Sequence, residues 1–323
     1  MLKNILIVGR KLASAALNFL IVYFETIALP MSWALGGTIM FTMYTELSNI
    51  FNGAVCLLVG LWQHHVPVDL ILFADPGAEQ PHTYHYLRIM DQWLRTHGMP
   101  GITRVWYTDR QGQRLTLEQE CLRSASLPSI AYGWKKCSLK HKVAPQEKFC
   151  AHYPPCQNAW ARGENVVKLI GYDAGEEKRR LGALPHDLAD RKYQKAYPLM
   201  EWGWDRNRCI QEIQNAGLPL PGKSSCFFCP SMKRREIRTL YHRYPDLLAR
   251  ALAIEDRARP NLLTVRGLGR NYAWRDFIEA DQAQLAIPGV FSSEDLPCSC
   301  VEETEEVTRK DVAQDLSLIH ISE

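Results

Sequence analysis

What the chain lacks narrows its class before any motif is read. It has little net charge: Lys+Arg 38 against Asp+Glu 35 leaves +3, too small a surplus to indicate a nucleic-acid partner from charge alone. Ten cysteines in 323 residues are too sparse for a disulfide-built scaffold, and a chain of this length buries enough core to need no such staples. Crossing a bilayer takes about 20 apolar residues. The apolar run from Leu12 to Phe24, behind Lys3, Arg10 and Lys11, falls short of that and has only the outline of a signal peptide or short anchor. Internal repeats and low-complexity linkers are also missing. With 46% hydrophobic and 23% charged residues, the expectation is a folded, water-soluble, cytoplasmic protein of one or two domains, with a membrane anchor as the minor alternative.

The ends differ from the middle. Residues 1–43 read as an apolar extension outside the domain, with Met40 or Met43 as the natural start. Residues 301–323 read as an acidic tail, Glu302 to Glu306, whose last eight residues, Leu316 to Glu323, resemble a translated sequencing adapter. Between them, residues 44–216 alternate short apolar runs with helix-period stretches, the pattern of a parallel sheet covered by helices. Val68 to Ala74 is a buried-type strand, His82 to His97 an amphipathic helix, Thr103 to Thr108 and Val166 to Gly171 further strands, and Leu115 to Ser124 a helix. Residues 217–300 change texture into a helical, cysteine-bearing subdomain, with long helices expected over Met232 to Ala258 and Asn271 to Leu285. The fold class expected is α/β, a Rossmann-like open parallel sheet with that subdomain attached, and ligands at the carboxyl ends of the strands.

Cys226-Phe-Phe-Cys229-Pro230 is the strongest local signal. Two thiolates three apart on a tight turn can face one soft metal or cluster, and Pro230 suits the start of a helix. A redox dithiol and two buried structural thiols are the alternatives. A four-coordinate site needs two more ligands, and Cys137, set among Lys135, Lys136, Lys140 and Lys142, is a candidate because those charges favour a thiolate and also attract an anion. Cys209 and the Cys298/Cys300 pair are the others. Asp75 and Glu79 follow a strand and so could hold Mg²⁺ or a ribose hydroxyl, or else cap the next helix. Gly171, Asp173 and Arg179 likewise follow a strand, where backbone amides and a guanidinium can meet phosphate oxygens.

Together these residues resemble the phosphoadenosine-phosphosulfate reductase family, within the adenine-nucleotide alpha-hydrolase-like fold that includes the PP-loop ATP pyrophosphatases, and most nearly its phage and prophage branch. The likeness runs from about Tyr44 to Cys300 through Ala74-Asp75-Pro-Gly77-Ala-Glu79, Cys137-Ser-Leu-Lys140, Gly171-Tyr-Asp173, Tyr197-Pro-Leu199 with Trp202, and the Cys226/Cys229 motif. It implies an adenine nucleotide (ATP, adenylylsulfate or phosphoadenylylsulfate) as ligand and a [4Fe–4S] cluster, with Zn²⁺ as the alternative. The implied cluster ligands are Cys137, Cys226 and Cys229. Lys136 stands where the family's paired cysteine would be, which leaves Cys209 as candidate for the missing ligand. Ser48, Asn52 and Gly53 match the family's phosphate loop, Lys140 and Lys142 would contact phosphate or sulfate, and Asp75 with Glu79 would organise Mg²⁺ or the ribose. A thiol or sulfur-donor protein is the implied partner.

Two departures qualify the likeness. Leu47-Ser-Asn-Ile-Phe-Asn-Gly53 lacks the glycines that turn backbone amides toward a phosphate. No Glu-Cys-Gly-like motif supplies the thiol that true reductases use to attack the sulfonucleotide. The expected function is therefore sulfonucleotide reduction or sulfur transfer beside an iron–sulfur cluster. The alternatives are an ATP-dependent sulfurtransferase of the DNA-phosphorothioation type and a non-catalytic, Zn-stabilised binding protein.

Overall fold

Leu70-Ile-Leu-Phe-Ala74 is apolar at every position and buried at every position, which is what a strand covered on both faces requires. The computed structural model describes residues 39–43 and 50–285. In chain order it contains β1 (Ile39–Met43), α1 (Ile50–Gln63), β2 (Leu70–Ala74), α2 (Pro81–Thr96), β3 (Ile102–Val105) and α3 (Leu117–Ser124). A helical run follows, made of Lys136–Ser138, a π-helical turn at Leu139–Val143, and α4 (Ala144–His152). Next come α5 (Pro154–Ala161), β4 (Val166–Leu169), α6 (Glu177–Ala189), β5 (Tyr193–Ala196) and α7 (Arg206–Asn215). Helices α8 (Arg234–Arg243), α9 (Pro245–Ala258) and α10 (Trp274–Leu285) complete the described chain.

The architecture is α/β. The five strands among the described residues are all parallel, in the order β3-β2-β1-β4-β5. Alternation along β2 divides its side chains between two cores: Ile71 and Phe73 join α1, α2 and α7, while Leu70, Leu72 and Ala74 join Cys150, Cys156 and Ala159 of α4 and α5. A third core unites the C-terminal helices with Ala78, Leu117, Cys121, Leu127 and Ala131, so the cysteine-bearing helices and the loops after β2 and β3 pack as one unit. Within it Glu255, fully buried, accepts the backbone N–H groups of Leu268 (2.7 Å), Trp274 (2.9 Å) and Arg275 (3.1 Å). That carboxylate satisfies donors at the start of α10 that would otherwise be orphaned. No helix among the described residues is long and apolar enough to cross a membrane.

Two expectations are corrected. Residues 39–43, read from sequence as part of the dispensable extension, form β1, the middle strand, which pairs with both β2 and β4. A short apolar run beside other apolar residues carries no periodicity to mark it as a strand. The helix expected over Met232 to Ala258 is two helices, because Pro245 cannot continue α8 and instead opens α9.

A chain begun at Met43 therefore lacks the strand that joins the two halves of the sheet. We expect it to show no cooperative thermal transition by circular dichroism. A transition like that of the full chain would mean β1 is dispensable.

Candidate functional site

The carboxyl ends of the strands carry two groups of polar residues. The first gathers beyond β2. Asp75 N–H donates to the Val105 carbonyl (2.7 Å), which fastens the turn to β3. The Asp75 carboxylate accepts from Gly77 N–H (2.7 Å) and Tyr84 Oη (2.8 Å) on one oxygen and from Arg114 (2.9 Å) on the other. Gly77 sits at φ +70°, and a Cβ there would lie 2.4 Å from Thr116, so this turn needs glycine. Asp75 thus organises the loop and takes little part in capping α2. Burial and the Asp75 charge push the Tyr84 phenol well above its usual range, keeping it a proton donor.

Glu79 lies one step further on, with its side chain fully buried. It accepts from Lys142 Nζ (3.0 Å) and from Ser224 Oγ (2.9 Å), and its backbone bridges to Cys226. The π-helical turn explains how Lys142 gets there. Widening the helix by one residue per turn points two consecutive polar side chains inward, His141 toward Glu120 (2.6 Å) and Lys142 toward Glu79. Lys140 remains on the rim, paired with Glu120 (2.8 Å) and 4.7 Å above the Tyr107 ring. The His141 and Lys140 hydrogen bonds hold the Glu120 carboxyl below its ordinary value.

Cys226 and Cys229 turn back beside this ion pair, the Cys229 N–H donating to the Cys226 carbonyl (3.0 Å). Burial pushes both thiols up; the charges of Lys142 and, for Cys229, Lys223 pull the other way. Cys137 and Cys229 both pack against the core that contains Cys226 and Cys121. Cys209 is elsewhere. It lies on the face of α7 that packs with Ile213 against α1, in the same core as Cys56 and a different one from Cys226. Helical spacing from Ile213 is the reason, since positions four apart share a face. Cys209 therefore does not join Cys137, Cys226 and Cys229, contrary to the four-cysteine set expected from sequence.

Among the described residues no three His, Cys, Asp or Glu side chains are placed to hold one metal ion together. A tetrahedral Zn²⁺ with Zn–S bonds of about 2.3 Å needs tightly convergent sulfurs, and Cys137, Cys226 and Cys229 do not provide them.

The second group lies where β1 and β4 adjoin, the point at which the strand order reverses. Gly53, in the first turns of α1, meets Gly171 after β4 so closely that a Cβ on Gly53 would stand 2.2 Å from the Gly171 carbonyl oxygen. Asn52 beside it has a buried Oδ1 with no hydrogen-bond partner. Asp173 accepts from Gly175 N–H (2.9 Å), and burial raises its carboxyl above the ordinary value, that hydrogen bond opposing the rise. Arg179 is ion-paired to Glu176 and stacked 4.5 Å over Tyr172. Ser48 lies outside the described residues, as do Cys298 and Cys300.

Arg114, Tyr84, Ser224 and the Glu120–His141 pair complete the first group and were not foreseen. Ser224 adjoins the cysteine motif and could have been noticed. Arg114 and Glu120 come from a hairpin and a helix whose local pattern says nothing of Asp75 or His141. No protein-family model matches the chain, and no curated protein matches it.

Replacing Lys142 with Met strands the buried Glu79 charge, and we expect a loss of about 3–5 kcal/mol in urea unfolding. Adding Glu79→Gln should recover much of that loss, because the uncompensated charge goes with it. Equal losses in single and double variants would show that the pair is not coupled.

Glu120 supplies a pH test. Its folded-state value is depressed, so its contribution is complete above the unfolded value of 4.5 and is lost as pH falls through the lower folded value. The melting-temperature gap between wild type and Glu120→Gln should be full at neutral pH and close as pH drops below 4.5. A gap independent of pH would contradict this assignment.

Proposed function

We propose that the chain is an enzyme of sulfonucleotide chemistry. It binds adenylylsulfate, phosphoadenylylsulfate or ATP where β1 and β4 adjoin, beside a cysteine-bound [4Fe–4S] cluster, and carries out reduction or sulfur transfer. The supporting fold reading is a Rossmann-like sheet of the adenine-nucleotide alpha-hydrolase type, for which an all-parallel order reversing at β1 is the expected layout. One observation carries the proposal most: at that reversal point the start of α1 is pressed onto Gly171, leaving Asn52 with an unsatisfied buried oxygen.

In this reading the N–H groups in the first turn of α1 face the phosphate, and the helix dipole favours its charge. Gly53 and Gly171 let the start of α1 sit directly against the end of β4, which fixes where that first turn points. Asn52 supplies the amide that a nucleotide hydroxyl or amino group would engage. Asp173 is set to accept a ribose hydroxyl. Cys137, Cys226 and Cys229 would hold the cluster, which when bound would supply redox capacity near the sulfur-bearing end. Lys142 is part of the buried Glu79 pair that props the Cys226 turn. Its role is to position the thiols, and the Lys140 ammonium on the rim is the one that can meet an incoming anion. The Mg²⁺ role expected for Asp75 is less well served, since both its oxygens are engaged by Gly77, Tyr84 and Arg114.

The test has two parts, both on the full chain purified without oxygen. Nucleotide binding is measured by calorimetry with ATP, adenylylsulfate and phosphoadenylylsulfate. We expect at least one to bind, and Asn52→Ala to weaken it about tenfold, the worth of one hydrogen bond; no binding by any of the three removes the reading. Brown absorbance should be present and should vanish in Cys137→Ser and Cys226→Ser but persist in Cys209→Ser. A colourless wild-type protein would eliminate the cluster.

A further inference from the structure

One edge of the sheet carries a surface that the proposed site does not use. β3 is the edge strand there, and the chain leaves its carboxyl end into a hairpin closed by the Thr108–Arg114 bridge. The hairpin lies along the helical run that begins at Lys136 and ends with α4. Three contacts join the two: Lys140 Nζ stands 4.7 Å over the Tyr107 ring, the His141 ring is 5.3 Å from the same ring, and Lys148 Nζ donates to Thr108 Oγ1 (2.9 Å). Both segments expose a tryptophan, Trp106 (42%) at the root of the hairpin and Trp134 (65%) just ahead of the helical run. A tryptophan left in water forgoes a large gain from burial, so two on neighbouring segments need a reason.

The charges around them are of one sign. Across residues 104–114 and 134–148 the exposed charged side chains are Arg104, Arg110, Arg114, Lys135, Lys136 and Lys148, all cations. The acids of these segments, Asp109 and Glu147, are only partly exposed and already engaged. Asp109 accepts the Gln111 and Gln113 N–H groups, and Glu147 accepts from Lys168. Arg110, Lys135 and Lys136 make no salt bridge among the described residues. The Arg114 guanidinium lies 5.0 Å from the centre of the Trp106 ring, so cation and indole present one continuous surface. The whole chain has a surplus of only +3; cations gathered this way on one face are a local feature that net charge conceals.

We propose that this face binds single-stranded nucleic acid, with the phosphates on the lysines and arginines and bases stacked on Trp106 and Trp134. Charge and aromatic rings together select that partner. An acidic polypeptide would meet the cations and leave the indoles without a flat counterpart. A duplex keeps its base faces inside the stack, whereas an unpaired strand offers them. A single nucleotide is too small to use cations distributed along a helical run about 25 Å long. Because every base has a π-face, the interface tolerates different sequences. The proposal rests on exposure and charge at this edge and holds whether or not a nucleotide binds where β1 and β4 adjoin.

The full chain is titrated into a fluorescein-labelled oligothymidylate of about 15 nucleotides and followed by fluorescence anisotropy at a series of salt concentrations. We expect binding that weakens steeply with salt. Trp134→Ala should weaken it about tenfold, the loss of one stacked base, with an unchanged melting temperature because the ring is mostly in water already. Trp106→Ala is the second, independent variant. Replacing Lys135 and Lys136 together with Gln should lower the slope of log affinity against log salt by about one. A duplex of the same length should bind more weakly, and excess ATP or polyglutamate at matched ionic strength should leave the strand bound. No binding at moderate salt, equal affinity for the duplex, or tryptophan variants that bind like the wild type would each overturn the proposal. So would displacement by ATP, which would put the strand in the nucleotide crevice, or by polyglutamate, which would make the face a general acceptor of negative charge.

Discussion

Glu79 and Lys142 meet in the interior, and most of the site depends on their doing so. A charge buried alone costs several kcal/mol, so neither residue could sit where it does without the other. Their pairing settles the position of three separate segments. Glu79 carries the loop after β2 and its bridge to Cys226; Lys142 carries the π-helical turn; Ser224, on the free oxygen of Glu79, carries the approach to the cysteine turn. The helix is wider at that turn because it must place His141 and Lys142 on the same inward side, each against a different carboxylate. Cys137, at the start of the same run, is brought beside Cys226 and Cys229 by the same constraint. The buried ion pair is thus the support on which the sulfurs are arranged.

A second constraint works at the reversal of strand order. The Gly53–Gly171 contact allows α1 to lie against the end of β4 at a separation that no side chain could tolerate. Sequence reading assigned these glycines to phosphate binding. Their physical role in the structure is to let the helix and strand approach.

How much was legible follows from which interactions are local. The buried run Leu70 to Ala74 and the alternating helix Pro81 to Thr96 carry their own periodicity, so their existence was readable, as was the turn through Asp75 and Gly77. Residues 39–43 were misread because an apolar strand among apolar neighbours has no contrast. Lys142 was read as an anion ligand because four lysines around a cysteine look like a surface, and nothing nearby in sequence reveals that Glu79 waits inside. Cys209 was assigned to the metal by elimination, although Ile213 four positions on already marks that helical face as apolar. In each misreading the deciding partner is distant along the chain, and pattern alone cannot see it.

The cysteines then sort by the charges facing them. Cys56 and Cys209 lie together near Glu212 and Asp173, whose negative charge and the surrounding burial keep the Cys56 thiol protonated and inert. Burial pushes the Cys226 and Cys229 thiols up, joined at Cys226 by the Glu79 charge, while the Lys142 charge opposes the rise at both. Cys150 differs from these: Cys156 and, after it, the Lys168 ammonium hold its thiol below the ordinary value against the opposing effect of burial. One side-chain type therefore meets different electrostatic surroundings within a single fold. The selection is made by carboxylates and ammonium groups that the three cores bring to each pair.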